Sequence, residues 1–496
     1  MSIDTAERLR PATFRVSLPL WVAAAIYALL LALGGKLLLT DPDVYWHIAT
    51  AEWIVEHRAF PHVDMFSWTM PGAPWIAKEW LSQLLYAGAH AVAGWGGVVV
   101  LAAAAIAASF ALLAHFLLQK LAPLPALTLV SAGFVLAAPH LTARPHALAL
   151  PLMVVWAGVL MNAVDHRRTP PLALVPVMTL WANLHGSFTL GLALVAPLAF
   201  EAWWSAGAAR RETALRWLRF GALALLAACV TPYGAEPILV AWRMLGLGQI
   251  LSLVNEWQPQ NFGRIGGFEA CLLLGLGFAV YRGIVLPPLR IVLLLGLLHM
   301  ALAQGRAAEI LALLAPLVLA APLAKQIGGA GVSNPAAAPP MRGALLLSVA
   351  VALVAGTFAY ASVHRFEPHM RGSPVAAVTA LKKLNLTRVF NDYDFGGYLI
   401  ANGVAPFIDG RTELYGEKFF VDHNAASGLM EPENLFRLLD EYKIEATLMR
   451  TQSAATKLLD HIDGWQKVYA DDIATIHLRK PDAVHTIEPA VEPKTK

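Results

Sequence analysis

Charge is what this sequence has least of. Aspartate, glutamate, lysine and arginine make up 14% of its 496 residues, against roughly 25% in soluble globular proteins. With 57% hydrophobic residues and a mean hydropathy of +0.56, a soluble globular chain is excluded. Net charge is also low, +3, too little to mark a nucleic-acid binder. Cysteine is nearly missing: Cys229 and Cys271 both lie in apolar runs, so no disulfide framework or CxxC metal site is available. The alternating pattern of an outer-membrane barrel is absent. So are the inverted repeat and matched Gly/Pro-broken helices of a secondary transporter.

What remains is a polytopic membrane protein. Apolar runs at about 16–39, 95–119, 122–139, 145–163, 170–184, 186–205, 213–231, 267–284, 287–304, 307–324 and 342–362 predict about eleven transmembrane helices. Arg8, Arg10 and Arg15 set the N-terminus in the cytoplasm. Lys120, Arg167–Arg168, the Arg210–Arg219 cluster, Arg282 with Arg290, and Lys325 with Arg342 then fall on the same side, as the positive-inside rule requires. The first apolar run is too long for a signal peptide and no small-x-small site follows it, so it reads as an uncleaved span.

This count places loops 40–94 and 232–266 on the outer side. Val44, Ile48, Ala51 and Val55 recur at helical spacing and predict an amphipathic surface helix, and 76–92 a second. Residues 326–341 read as a Gly/Pro/Ala linker. Past Val363 charge rises and long apolar runs stop. The predicted fold class is therefore a polytopic α-helical membrane domain (1–362) followed by a small outer α/β domain (363–480) and a disordered tail (481–496). In the α/β domain, strands are predicted at Arg388–Asn391, Val404–Ile408, Ala446–Met449 and Ala474–Leu478, with helices at 374–384 and 432–443.

Helix parity gathers the unusual polar residues on the outer face: Asp41, Asp43, His47, Asp64, Glu79, His140, Arg144, His146, Asn183, His185, Glu256 and Arg306. A shared cavity is the economical explanation, because polar groups at membrane depth are costly. Carboxylates there suit acid/base chemistry, and guanidinium groups suit an anionic substrate. Plainer readings exist for each. Asp41-Pro42-Asp43 makes a good turn and helix start. Tyr45, Trp46 and the loop tryptophans suit an interfacial belt as well as a sugar platform. Arg144 suits snorkelling as well as binding. A metal site from Asp41, Asp43 and His47 matches no strong zinc spacing.

At these residues the chain resembles the GT-C superfamily, integral-membrane glycosyltransferases that use polyprenyl-phosphate-linked sugars. The run Asp41-Pro42-Asp43-Val44-Tyr45-Trp46-His47 resembles its first acidic motif. Trp75 to Trp80, Arg144-Pro145-His146, Trp181 to Gly186, Glu256-Trp257, Asp394 to Tyr398 and Phe407 to Arg411 are similar to a bacterial branch near the rhizobial lipopolysaccharide-modifying and protein mannosyltransferases. No WWD-type motif of the oligosaccharyltransferases is found, so glycan transfer to asparagine is not implied. The resemblance implies an inverting transfer from a polyprenyl-phosphate sugar to a hydroxyl of an envelope glycan, lipid or protein, at the outer face of a bacterial inner membrane. Asp41 or Asp43 is then the base. Arg144 and Arg306 hold the phosphate, Tyr45, Trp46, His47, Glu79, His185 and Glu256 line the site, and a divalent ion (Mg or Mn) is the one cofactor to consider. A transporter or flippase and a non-catalytic scaffold are the competing classes.

Overall fold

The computed structural model describes residues 18–245, 257–263, 265–327 and 343–480. Arg8, Arg10 and Arg15, Glu256, most of the 326–341 linker and the 481–496 tail lie outside them. The chain forms two compact units. One comprises Met1–Pro61 and Ile76–Pro368; the other comprises His62–Trp75 and His369–Lys496.

The first unit is helical. Its elements are α1 (Leu18–Leu38), α2 (Asp43–His57), α3 (Trp80–Leu118), α4 (Pro123–Ala137), α5 (Pro145–Asp165), α6 (Val175–Leu184), α7 (Phe188–Trp204), α8 (Arg210–Ala228), α9 (Glu236–Leu245), α10 (Gly267–Arg282), α11 (Pro288–Ala303), α12 (Ala308–Gln326) and α13 (Gly343–Val363). Among the described residues, four segments are long and apolar enough to cross a membrane: Trp80–Leu118, Pro123–His140, Pro145–Asp165 and Gly305–Gln326. Shorter apolar helices accompany them, including Phe188–Trp204 and Pro288–Ala303.

The surface helix expected at 76–92 is continuous with the next apolar run. They meet at a kink where Gly94 takes φ +57°, a conformation glycine adopts without penalty. Small residues let the helices approach closely, as in other membrane bundles. A Cβ on Gly158 would come within 2.5 Å of the Phe116 ring, and one on Gly191 within 2.5 Å of Trp181. Trp156 donates to the Gly191 carbonyl at 2.8 Å.

One ionic cluster inside this unit is absent from the sequence reading, which used Arg290 only as a topology marker. Arg290 is 2% exposed. Its Nε donates to both Glu201 oxygens at 2.8 Å, Nη1 to the Val318 carbonyl at 3.1 Å and Nη2 to Asp165 at 2.6 Å. Lys120 also pairs with Asp165. The cluster ties α5, α7, α11 and α12 together, so its charges are paired where burial would otherwise be prohibitive.

The second unit carries α14 (Val375–Leu384), α15 (Gly396–Ala401), α16 (Thr412–Gly428), α17 (Pro432–Glu441) and α18 (Ala454–Leu459), with β1 (Val389–Asn391), β2 (Ala446–Arg450), β3 (Trp465–Ala470) and β4 (Ala474–Arg479). The sheet order is β1-β2-β4-β3. β1 runs parallel to β2, and the other pairs are antiparallel. Val378, Leu381, Val389, Phe395, Leu399, Leu448 and Ile476 form its core; each such side chain contributes about 1.5–3 kcal/mol by burial.

One strand expectation is corrected and one strand is added. Val404–Ile408 is not a strand. Its backbone is held by the Asn391 side chain, which accepts from Phe407 N–H at 2.7 Å and donates to the Ile408 carbonyl at 2.8 Å. Trp465–Ala470 is a strand the hydropathy pattern hid, because most of its side chains face solvent. The segment 62–75 belongs with this unit. It folds back on itself through Asp64 N–H to Ala73 (2.8 Å) and Trp75 N–H to His62 (3.1 Å). Thr69 then donates to the Phe407 carbonyl at 2.7 Å.

Candidate functional site

The site forms where α1 passes into α2. Asp41 Oδ1 accepts the Asp43 N–H at 2.9 Å, the local turn expected of an aspartate followed by proline. Both aspartates are 9% exposed. Across from them, Pro145 opens α5 and keeps Arg144 extended (φ −117°, ψ 166°). The loop before it is pinned by Ala143 N–H to the Leu38 carbonyl (2.7 Å), and Tyr86 Oη donates to the Arg144 carbonyl at 3.0 Å. So held, the guanidinium spans both carboxylates: Nη1 to Asp41 Oδ2 at 2.8 Å and Nη2 to Asp43 Oδ2 at 2.5 Å. Its side chain is 18% exposed.

His47 lies one turn past Asp43, on the same face of α2. Its Nδ1 meets Gln83 Nε2 at 3.2 Å, and its Nε2 stands 3.9 Å from Glu79. The other Glu79 oxygen is 3.3 Å from His185 Nε2. Ser187 N–H donates to His185 Nδ1 at 3.2 Å, which leaves the proton on Nε2, facing Glu79. Burial holds both imidazoles well below their usual pKa. The positive charge of Arg144 and Lys78 adds to this at His47; His146, Arg306, Lys78 and Arg144 add to it at His185. Both rings are therefore neutral around Glu79.

The turn between α6 and α7 is locked to the start of α3. Trp80 Nε1 donates to Asn183 at 2.8 Å, and Ser82 donates to the Leu184 carbonyl at 2.8 Å. His146 Nε2 is 3.4 Å from Glu309, and its ring is 6.1 Å from that of His185. Glu309 was missed by sequence reading. It is 6% exposed at the start of an apolar helix, three residues beyond Arg306.

Other expected site residues are placed differently. Arg306 stacks over Trp257 at 5.0 Å, with its field reaching His185. Tyr45 packs edge-on to Trp95 (5.3 Å) and Trp46 against His47 (3.7 Å), each under 9% exposed; neither ring offers an open sugar platform. Glu256 lies outside the described residues. Asp64, expected at this face, is in the second unit, where Arg411 Nη1 donates to it at 2.6 Å. Arg411 also grips Asp409 through Nε (2.8 Å) and Nη2 (2.7 Å), and Phe66 and Trp75 stand over it at 5.2 and 5.0 Å. Asp409 and Arg411 are fully buried, so the 407–411 motif is held inside the second unit. Gly396 follows from the same packing, since a Cβ there would meet the Ile408 carbonyl at 2.3 Å.

A divalent ion at Asp41, Asp43 and His47 does not fit this arrangement. Arg144 lies across both carboxylates, and His47 turns to Gln83 and Glu79. Among the described residues no three His, Cys, Asp or Glu side chains are grouped to hold a metal.

No protein-family profile and no curated protein matches the sequence. Solved structures do. The archaeal oligosaccharyltransferase AglB from Archaeoglobus fulgidus, in complex with an inhibitory peptide and a dolichol-phosphate, matches over 95% of this chain and 75% of its own, at 11% identity and a TM-score of 0.50. The apo form of the Archaeoglobus fulgidus oligosaccharyltransferase matches over 88% and 70%, at 11% identity and a TM-score of 0.47. Its complex with Zn and sulfate matches over 88% and 68%, at 11% identity and a TM-score of 0.40. The first of these likenesses shows the fold: the chain shares the fold of that oligosaccharyltransferase, and its long apolar helices mark a membrane protein.

Proposed function

We propose that this protein is a membrane glycosyltransferase. It moves a sugar from a polyprenyl-phosphate donor to an acceptor hydroxyl on an envelope glycan, lipid or protein, at the outer face of a bacterial inner membrane. In this reading eleven helices span the membrane within residues 1–362, the N-terminus is cytoplasmic and residues 363–480 are periplasmic.

The observation that carries the reading is the Arg144 guanidinium lying across Asp41 and Asp43 in a partly open site. A donor phosphate competes for that guanidinium, since arginine binds phosphate and carboxylate alike. As Arg144 turns to the phosphate, one aspartate is released to take the acceptor proton. The acceptor oxygen attacks the sugar C1 from the side opposite the phosphate, the C1–O bond to phosphate breaks, and configuration inverts. Arg144 offsets the charge growing on the leaving phosphate, and Arg306 adds positive potential. Glu79, between two neutral imidazoles, fixes the floor of the site. The GT-C fold does not favour the transporter reading, which needs a paired-repeat architecture.

The test is Arg144→Gln in lipid nanodiscs with a defined polyprenyl-phosphate hexose. The reading expects transfer to fall about 100-fold or more with the thermal transition unchanged. Full transfer by this variant would remove Arg144 from the donor site.

A further inference from the structure

The second unit carries a basin that the transfer chemistry does not use. It has a volume of about 350 Å³, within the roughly 300–1,000 Å³ of small-ligand sites. It opens where α16 breaks at Gly416 (φ 74°, ψ 169°). Tyr415, Phe419 and Tyr442 line it. Tyr415 and Phe419 stack at 5.4 Å, while Tyr442 stands at 87° to Phe419 with 6.0 Å between centroids. Two ring planes thus meet at a right angle, and both Phe419 and Tyr442 are only partly buried.

Around these rings lies a polar rim. Arg437 bridges Asp422 and Glu441, each at 2.8 Å, and Lys418 joins Asp422 at 2.7 Å. With Glu417, the lining holds three acids and two bases. These charges largely neutralise one another, so the basin has no excess positive charge to hold a phosphate or sulfate. It instead offers donors and acceptors side by side next to partly exposed aromatic rings. A pyranose presents the matching surfaces: C–H groups on one face, which suit the negative face of an aromatic ring, and hydroxyls at its edge, which donate and accept at once.

We infer that this basin binds one uncharged hexose-type unit of a glycan. Calling that glycan the acceptor rests on the transferase reading; the binding itself does not. The inference widens the role of the second unit from architecture around Arg411 to capture of a sugar.

The test uses the full chain in nanodiscs and saturation-transfer NMR titrations with methyl glucoside, methyl galactoside and methyl mannoside, with glucose 6-phosphate as the charged probe. Expected is saturation of ring C–H protons in at least one neutral glycoside, with binding about fivefold weaker or more in Tyr442→Ala. Asp422→Asn, which leaves the ring packing intact, should weaken it in the same direction. No saturation of any neutral glycoside, unchanged binding in both variants, or stronger binding of glucose 6-phosphate overturns the inference. Binding that persists in Arg144→Gln protein devoid of transfer supports it independently of the catalytic proposal. Transfer without sugar binding by the wild type overturns it alone.

Discussion

Arg144 and Arg290 mark the two ends of one helix. Arg144 precedes α5, and Arg290 grips Asp165 at its last residue, about 30 Å away at 1.5 Å per residue. Both are arginines facing two carboxylates. The resemblance ends there. Arg290 is 3% exposed at its side chain; its carboxylates come from α5 and α7, and a carbonyl of α12 completes its shell. Arg144 is 18% exposed, and its two carboxylates sit two residues apart on one turn. The first arrangement holds helices together. The second holds a partly exposed guanidinium across the start of one helix. Arg411, buried between Asp64 and Asp409, belongs with Arg290. Burial and the origin of the partners, not residue type, separate these two kinds of arginine site.

That comparison breaks most visibly at Arg290. Arg290→Ala leaves the partly buried Glu201 and Asp165 with less positive charge and removes a buried hub of four hydrogen bonds, a change that costs about 3 kcal/mol. It should appear as lost folded yield in detergent, with activity falling only in proportion. Arg411→Leu should do the same in the second unit. A stable Arg290→Ala protein with selectively lost transfer would reverse the assignment of the two ends.

Acid titration is the next largest effect. Burial pushes His423 down to about 4, and its Nε2 donates to the Asn391 carbonyl at 2.9 Å. The unfolded chain takes up this proton near 6.5 and the folded chain does not until about 4. The unfolded state therefore binds more protons between these values, and stability falls as pH drops through that window, by about 3 kcal/mol in all. His423→Phe should flatten that slope in a urea or thermal series, whatever it does to stability at pH 7. The smallest effect expected is at Glu79. Glu79→Gln keeps the shape but weakens the hold on His47 and His185, and transfer should fall about tenfold with little change in folding.

Much of the helical unit was legible because long apolar runs of good helix formers fold as helices. Helices occur at each of the eleven apolar runs. The Gly94 kink was hidden because a run of apolar residues does not show where its axis bends. Val404–Ile408 looked like a strand because an apolar run says nothing about its hydrogen-bond partners; an asparagine side chain supplies them here. Arg144 meets Asp41 and Asp43, and Glu79 stands near His47 and His185, pairings that a count of helices cannot supply. Glu309 was hidden as one acid at the start of an apolar helix, and Asp64 because a loop residue's partner 347 positions away leaves no local trace.

The central claim is that Asp41 and Asp43 are the chemical carboxylates of this protein. The most direct measurement is the initial rate of sugar transfer from a defined polyprenyl-phosphate hexose by Asp41→Asn and Asp43→Asn proteins in nanodiscs, each with its thermal transition recorded. At least one variant is expected to lose about 100-fold or more in rate while both remain folded. Wild-type rates in both variants would contradict it.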